Sequence, residues 1–190
     1  MPRSNPIKTG LTFEQYVKFE STSNVRHEFI NGSTYEKPGS TIQHNFITGQ
    51  ILVRTMDQLH KQGCLVLALD VIVQTPKGNG YYPDIFVTCD SSLDSAQIVF
   101  CPKIIFEILS EETEGFDRGE KWQQYQEIPS LKQYILLSQN EPIAEVFSRQ
   151  EEHWKYERLT DTAILKFSSL AFEFVLSDLY KNLPVIQEDS

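Results

Sequence analysis

Tyr81–Thr88, YYPDIFVT, and Lys103–Ser110, KIIFEILS, decide the fold of this chain, and Asp117–Tyr125, DRGEKWQQY, completes them. The first two are short apolar runs of β-branched and aromatic residues, the composition of buried strands. Each carries one carboxylate. Side chains alternate along a strand, so Tyr82, Asp84, Phe86 and Thr88 share a face of the first run, and Ile105, Glu107 and Leu109 share a face of the second. If the two runs pair in one sheet, Asp84 and Glu107 can lie side by side. Two unneutralised carboxylates in an apolar sheet are costly. A divalent cation between them would remove that cost and supply hydrolytic chemistry. The plainer alternatives are that Pro83-Asp84 marks an irregular strand entry, and that Glu107 sits at a sheet edge or pairs with an Arg.

A proline-aspartate on one strand, a glutamate on the next and a lysine after it resemble the PD-(D/E)XK nuclease superfamily. The nearer resemblance is to a bacterial family within it, the "putative restriction endonuclease" family, over nearly the whole chain. The matching stretches are RHEFINGSTY, the His-Asn of QHNFITGQI, LDVIV, YYPDIFV, FEILSEET, DRGEK with Tyr125, and QYILL. The resemblance implies an α/β (α+β) fold with a restriction endonuclease-like core: a mixed central β-sheet flanked by helices, with an N-terminal helix and hairpin and a C-terminal antiparallel extension.

The chain has 190 residues, 40% hydrophobic and 23% charged, which suits one domain with a sizeable core. That domain is expected over residues 1–190, with its core at about 41–138. Cys64, Cys89 and Cys101 form no CxxC pair and read as small core residues in a reducing compartment. The start, MPRSNPIKTG, has no apolar signal core, and no apolar run approaches the ~20 residues of a membrane span. The expectation is therefore a cytoplasmic protein with no membrane partner. A formal net charge of −9 counts against tight, non-specific nucleic-acid binding, which usually uses a basic stripe; it leaves room for a locally basic cleft.

In chain order, residues 1–10 read as a loose arm. Thr12 with Gln15 forms a capping box opening a helix through about Glu20, with Phe13, Tyr16, Val17 and Phe19 on its apolar side. Asn31-Gly32 is the turn of a hairpin whose first strand carries Glu28, a solvated partner of Arg26 or, as the resemblance implies, a residue near the active-site cleft. Ser40 or Thr41 caps a helix to about Gln62, its apolar face drawn through Ile42, Phe46, Gly49, Val53, Met56 and Leu59. His44, in its first turn, is a packed or capping residue or, as the resemblance implies, a residue facing the cleft. CLVLALDVIVQ, 64–74, reads as one strand at a sheet centre, with Asp70 on the face of Val66, Ala68 and Ile72. Asp70 would orient a ligand from behind or accept backbone N–H bonds at a bulge. CDSSLDSAQ reads as a polar loop and Ser110–Phe116 as an acidic one. Asp117 and Glu120 form a second capping box for a helix to about Ile128, and Lys121 and Tyr125 share one face of it. LKQYILLS is a strand, 141–175 an antiparallel meander at the sheet's edge with Trp154 and Tyr156 as packing residues, Ser177 a cap for a short last helix, and the tail after Pro184 is unstructured. From residue 41 the order is helix, three strands, helix, strand, which is the core order of the superfamily.

Phosphodiester cleavage needs an activated water, offset charge on the phosphate and a stabilised leaving oxygen. The expected catalytic residues are Asp84, Glu107 and Lys121, with Asp84, Glu107 and the Ile108 carbonyl as ligands to Mg²⁺ (Mn²⁺ as a substitute). Glu28, His44, Asp70 and Tyr125 are candidate accessories. In the superfamily pattern the lysine stands two residues after the glutamate; here that position is Leu109. The resembled family shares this departure, and Lys121 on the following helix fits a relocated lysine; the alternative is a solvated Lys121 paired with Asp117, four residues earlier. The expected activity is Mg²⁺-dependent hydrolysis of duplex DNA. The alternatives are an interaction module that kept the fold without effective cleavage, and a hydrolase of another phosphorylated substrate. A two-fold homodimer would match a duplex, although no dimer face is marked. No zinc-spaced Cys/His cluster, P-loop, dinucleotide fingerprint or GxSxG is present.

Overall fold

The computed structural model describes residues 5–90 and 97–184. Thr12 caps α1 (Phe13–Glu20): its hydroxyl accepts from the Gln15 N–H, and the Gln15 side chain accepts from the Thr12 N–H. Asn31 and Gly32 both have positive φ, 49° and 80°, the left-handed pair of a two-residue hairpin turn, and join β1 (His27–Ile30) to β2 (Ser33–Glu36). Of the arm expected to be loose, residues 1–4 lie outside the described residues and the rest is tied to β2, with Ile7 N donating to Thr34 O at 2.8 Å and Thr34 N to Lys8 O at 2.9 Å.

Thr41 caps α2 (Ile42–His60). The helix buries His44, Ile47, Thr48, Ile51, Thr55 and Leu59; of the face drawn from its apolar residues Leu59 is buried and Phe46 packs on the core, but Ile42, Val53 and Met56 are 62%, 79% and 52% exposed. The inward stripe includes two threonines that satisfy themselves locally. Thr48 donates to His44 O and Thr55 to Ile51 O, so their hydroxyls enter the core with a partner.

The run 64–74 is not one central strand. It divides into β3 (Leu65–Ala68) and β4 (Ile72–Gln74), which belong to different sheets, because Leu69 adopts a left-handed φ of 68° and turns the chain. β5 (Gly80–Tyr81), β6 (Ile85–Thr88), β7 (Ile98–Val99) and β8 (Ile104–Leu109) follow. Most of the polar loop, 91–96, lies outside the described residues. After β8 the helical segment begins earlier than the second capping box implied: α3 (Glu114–Phe116), a π-helical turn Asp117–Lys121, then α4 (Trp122–Tyr125). Asp117 is buried inside this segment and does not cap it. β9 (Gln133–Ser138), β10 (Ile143–Arg149) and β11 (Trp154–Thr160) come next. β12 (Ile164–Phe167) and β13 (Phe172–Val175) form a separate two-stranded sheet instead of prolonging the meander, and a 3₁₀ turn Leu176–Tyr180 contains Ser177 rather than being capped by it. The tail from residue 185 lies outside the described residues.

The fold is mixed α/β. A six-stranded sheet runs β11-β10-β9-β8-β6-β3, with β8 and β9 parallel and the other neighbours antiparallel. A five-stranded sheet runs β2-β1-β5-β4-β7. β3 is therefore an edge strand. The central strands of the larger sheet, β6, β8 and β9, are buried on both faces. Ile85, Val87, Ile104, Phe106 and Ile135 pack with Ile47 and Ile51 of α2, whereas Phe86, Ile105, Tyr134 and Leu136 pack with Tyr125 and Ile128. This alternation sends Glu107 toward the helical segment that carries Lys121. The same antiparallel register places Leu65 opposite Thr88, so Cys64 and Cys89 meet across the strands and form a disulfide, where free thiols were expected; Cys101 is free. Among the described residues no helix is long and apolar enough to cross a membrane.

Candidate active site

The pairing of β6 with β8 brings the two carboxylates together. Ile85 is opposite Phe106, which places Asp84 across from Glu107. The Asp84 N–H donates to Glu107 Oε2 at 3.3 Å, and the Ile108 N–H donates to Asp84 Oδ2 at 2.9 Å. Asp84 stands at the strand entry, and its carboxylate takes over the ladder position beside Ile108. Within an extended strand the N–H and C=O of one residue face the same neighbour, so the Ile108 carbonyl also faces the Asp84 side.

Glu107 is neither at an edge nor paired with an Arg. It is buried, and its Oε1 lies 2.9 Å from Lys121 Nζ and accepts from Tyr125 Oη at 3.3 Å. The side chain of Lys121 is 4% exposed, so it is not a solvated helix charge. It does pair with Asp117 at 3.3 Å, and also with Glu28 Oε1 at 3.1 Å. Glu28 therefore belongs to the cleft, while Arg26 turns to Glu20 and Asp70. Asp117 and Lys121 open and close the π-helical turn and are both buried; π-turns recur at functional sites. Tyr134 holds this turn by donating to Asp117 O at 3.0 Å, and its ring stacks on Trp122 and meets Tyr125 edge-on. Tyr125, the candidate accessory on the face of Lys121, donates its hydroxyl to Glu107.

His44, in the first turn of α2, is buried with Nε2 at 2.9 Å from Asp84 Oδ2. Lys37, which no spacing in the sequence singles out, donates to Asp84 Oδ1 at 3.0 Å and to the Tyr82 carbonyl at 2.7 Å. Its only local signal is a position just after the hairpin, with its acceptors more than forty residues away. Asp70 is not part of the site. Its side chain is 72% exposed at the break between β3 and β4, where it pairs with Arg26; the left-handed turn at Leu69 removes the strand face on which it was expected.

Burial drives the electrostatics. It pushes the Glu107 carboxyl up to about 8, against the pull of the Lys121 ammonium. Burial also opposes ionisation of Asp84, but Lys37 and His44 beside it more than offset this and hold its carboxyl well below the usual range. Burial disfavours the Lys121 ammonium, yet Glu107, Glu28 and Asp117 together raise it well above an ordinary lysine, so it stays charged. A cavity of about 350 Å³ opens onto these groups. Its charged lining, among the described residues, is Glu28, Glu36, Asp84, Glu107, Glu112 and Asp117 against Lys37 and Lys121.

This donor set fits a hard divalent cation. Its ligating atoms are oxygens, two carboxylates stand in adjacent register, and carboxylates outnumber ammoniums around the cavity. Among the described residues no group of three or more His, Cys, Asp or Glu side chains is arranged to hold a metal ion; the fit rests on the Asp84–Glu107 pair, and Mg²⁺ takes one or two carboxylates and keeps several waters.

Comparison with known proteins places the chain. The family model described as "Uma2: Putative restriction endonuclease" matches residues 13–177. The chain belongs to this family. Every cleft residue named above lies within the matched span. Two uncharacterized proteins of Synechocystis sp. are similar to this Uma2-family chain: one is 26% identical over 176 residues, covering 91% of the chain and 93% of the relative, and the other is 28% identical over 133 residues, covering 68% and 75%. A crystal structure described as a "putative nuclease belonging to DUF820" from Anabaena variabilis superposes with a TM-score of 0.75 at 18% identity, covering 92% of this chain and 99% of that one; it shows the same fold.

Proposed function

We propose that this Uma2-family protein is a Mg²⁺-dependent endonuclease that hydrolyses DNA phosphodiester bonds, with Asp84, Glu107 and Lys121 at its centre. The observation that carries the reading is the register of β6 and β8: it sets two buried carboxylates side by side at the floor of one open cavity. Asp84, Glu107 and the Ile108 carbonyl would hold the cation. Bound there, Mg²⁺ supplies charge neutralisation at the phosphate and a more acidic water.

The remaining roles belong to the chain's own side chains. Asp84 stays ionised because Lys37 and His44 flank it, and it presents a fixed anionic oxygen to a cation. His44 and the Ile108 N–H fix the orientation of that carboxylate. Tyr125 and Lys121 do the same for Glu107. Lys121 keeps its proton, so it serves as a fixed positive charge beside the scissile phosphate and not as a base. Because carboxylates dominate the cavity lining, a polyanion can approach only once cations have entered, and cleavage should depend strictly on them.

Supercoiled plasmid incubated with the protein and Mg²⁺ tests this. Nicking by the wild type, absent in EDTA and absent in Asp84→Asn, is the expected result. Nicking that survives both removes the proposal. Cation binding without cleavage of DNA redirects the search to smaller phosphate esters, and loss of both favours an interaction module built on the nuclease fold.

A further inference from the structure

Lys37 follows β2 directly, and its ammonium rests on two oxygens, the Tyr82 carbonyl at 2.7 Å and Asp84 Oδ1 at 3.0 Å. These oxygens flank Pro83, whose ring fixes the backbone between them. Together they are the kind of oxygen pair, one backbone carbonyl and one carboxylate, that coordinates hard cations. Asp84 Oδ2 is already committed to His44 and the Ile108 N–H. Oδ1 is therefore the oxygen through which Asp84 meets a cation, and an ammonium now occupies it.

The two lysines of the cleft are held very differently. Lys121 is wedged among Glu28, Glu107 and Asp117, with its side chain 4% exposed. Lys37 touches one carboxylate and one carbonyl, its side chain is 19% exposed, and it lines the open cavity. Its backbone is anchored by the bond from Lys37 N to Arg26 O at 2.8 Å, so the ammonium can move by side-chain rotation while its Cα stays in place. Pro38, Gly39 and Ser40 line the same cavity, so a released ammonium remains inside the cleft.

We propose that Asp84 Oδ1 and the Tyr82 carbonyl form a cation position that Lys37 fills in the metal-free protein, and that a divalent cation displaces Lys37 into the cavity, where its ammonium meets the phosphate oxygens of the substrate. This rests on the reading that Asp84 and Glu107 hold a divalent cation, and it adds Tyr82 as a ligand and Lys37 as the group that couples cation entry to phosphate binding. Before the cation arrives, Lys37 offsets the buried Asp84 charge. Afterwards it supplies positive charge where the cavity lining is mostly acidic. The coupling is reciprocal: cation and phosphate should each raise the affinity for the other.

The test uses the whole wild-type protein with Mg²⁺ and no DNA. Acetylation of lysines by an amine-reactive ester, read by peptide mass spectrometry, should modify Lys37 slowly in EDTA and several-fold faster in saturating Mg²⁺, with Lys121 protected in both. Calorimetry on the same samples reports binding. Lys37→Met, which removes the competing ammonium, should bind Mg²⁺ roughly tenfold more tightly, within the usual range of coupling between ligands. Mg²⁺ binding with Lys37 labelling unchanged or slowed overturns the displacement, whatever the affinity of Lys37→Met, and leaves the cation site intact. Absence of Mg²⁺ binding in both proteins overturns the cation site and the displacement together.

Discussion

Glu107 is the group through which pH should control the cleft. Burial pushes its carboxyl up to about 8, and the Lys121 ammonium at 2.9 Å only partly counters this. A carboxyl must release its proton to hold a divalent cation. With a midpoint of about 8, roughly half of the molecules carry an ionised Glu107 at about pH 8, and about one in a hundred does at about pH 6. Mg²⁺ affinity should therefore fall about 50-fold between these values, which is ~2.3 kcal/mol. Asp84 adds no slope, because it is held ionised throughout, and Lys37 and Lys121 are both raised and stay charged. Calorimetry in two buffers of different ionisation enthalpy measures both the affinity and the protons released, with close to one proton per Mg²⁺ at about pH 6. Repeating the titration in His44→Gln separates any contribution of the ring beside Asp84. An affinity flat from about pH 6 to about 8, with no proton release, would mean that Lys121 keeps Glu107 ionised, and would refute the reasoning. The same shift has a consequence for stability. The folded protein keeps a proton that the unfolded chain gives up near 4.5, so this group makes stability fall as pH rises from about 4.5 to about 8. Glu107→Gln should flatten that slope in urea unfolding.

Three further outcomes follow from the contacts. Lys121→Met strands the buried Glu28 and Asp117 without their shared cation and should cost about 3–5 kcal/mol in urea unfolding near neutral pH. Tyr125→Phe removes one hydrogen bond to Glu107 and should cost about 1–2 kcal/mol while moving the pH midpoint of Mg²⁺ binding upward, since a bond to the ionised carboxylate is lost. Asp70→Ala removes only an exposed ion pair with Arg26, and both thermal midpoint and Mg²⁺ affinity should match the wild type within error.

The pairing of Asp84 with Glu107 was legible because it rests on period-two alternation and one carboxylate in each apolar run. The Asn31-Gly32 turn and the Thr12 capping box were equally local signals. What stayed hidden depends on partners far along the chain. Lys37 meets Asp84 forty-seven residues away, and no pattern around Lys37 announces it. Cys64 and Cys89 meet through the β3–β6 register, which spacing alone does not give. α2 misled because it carries two apolar stripes, and the buried one is broken by threonines whose hydroxyls bond their own backbone. The strand break at Leu69 falls on a residue type that rarely adopts a left-handed φ, so the sequence there gives no warning. The resemblance pointed to the lysine on the helical segment, and four-residue spacing offered Asp117 as its partner; that Glu28 and Glu107 also surround it came only from packing β1, β8 and that segment together.

The most direct measurement of the central claim is a crystal of the protein soaked in Mn²⁺, with data collected to locate the ion by its anomalous signal. The expected result is a peak within about 2.0–2.4 Å of oxygens from both Asp84 and Glu107, with Lys37 Nζ moved off Asp84 Oδ1. A soaked crystal with no peak there, Lys37 unmoved, and full plasmid nicking by the same preparation would contradict it.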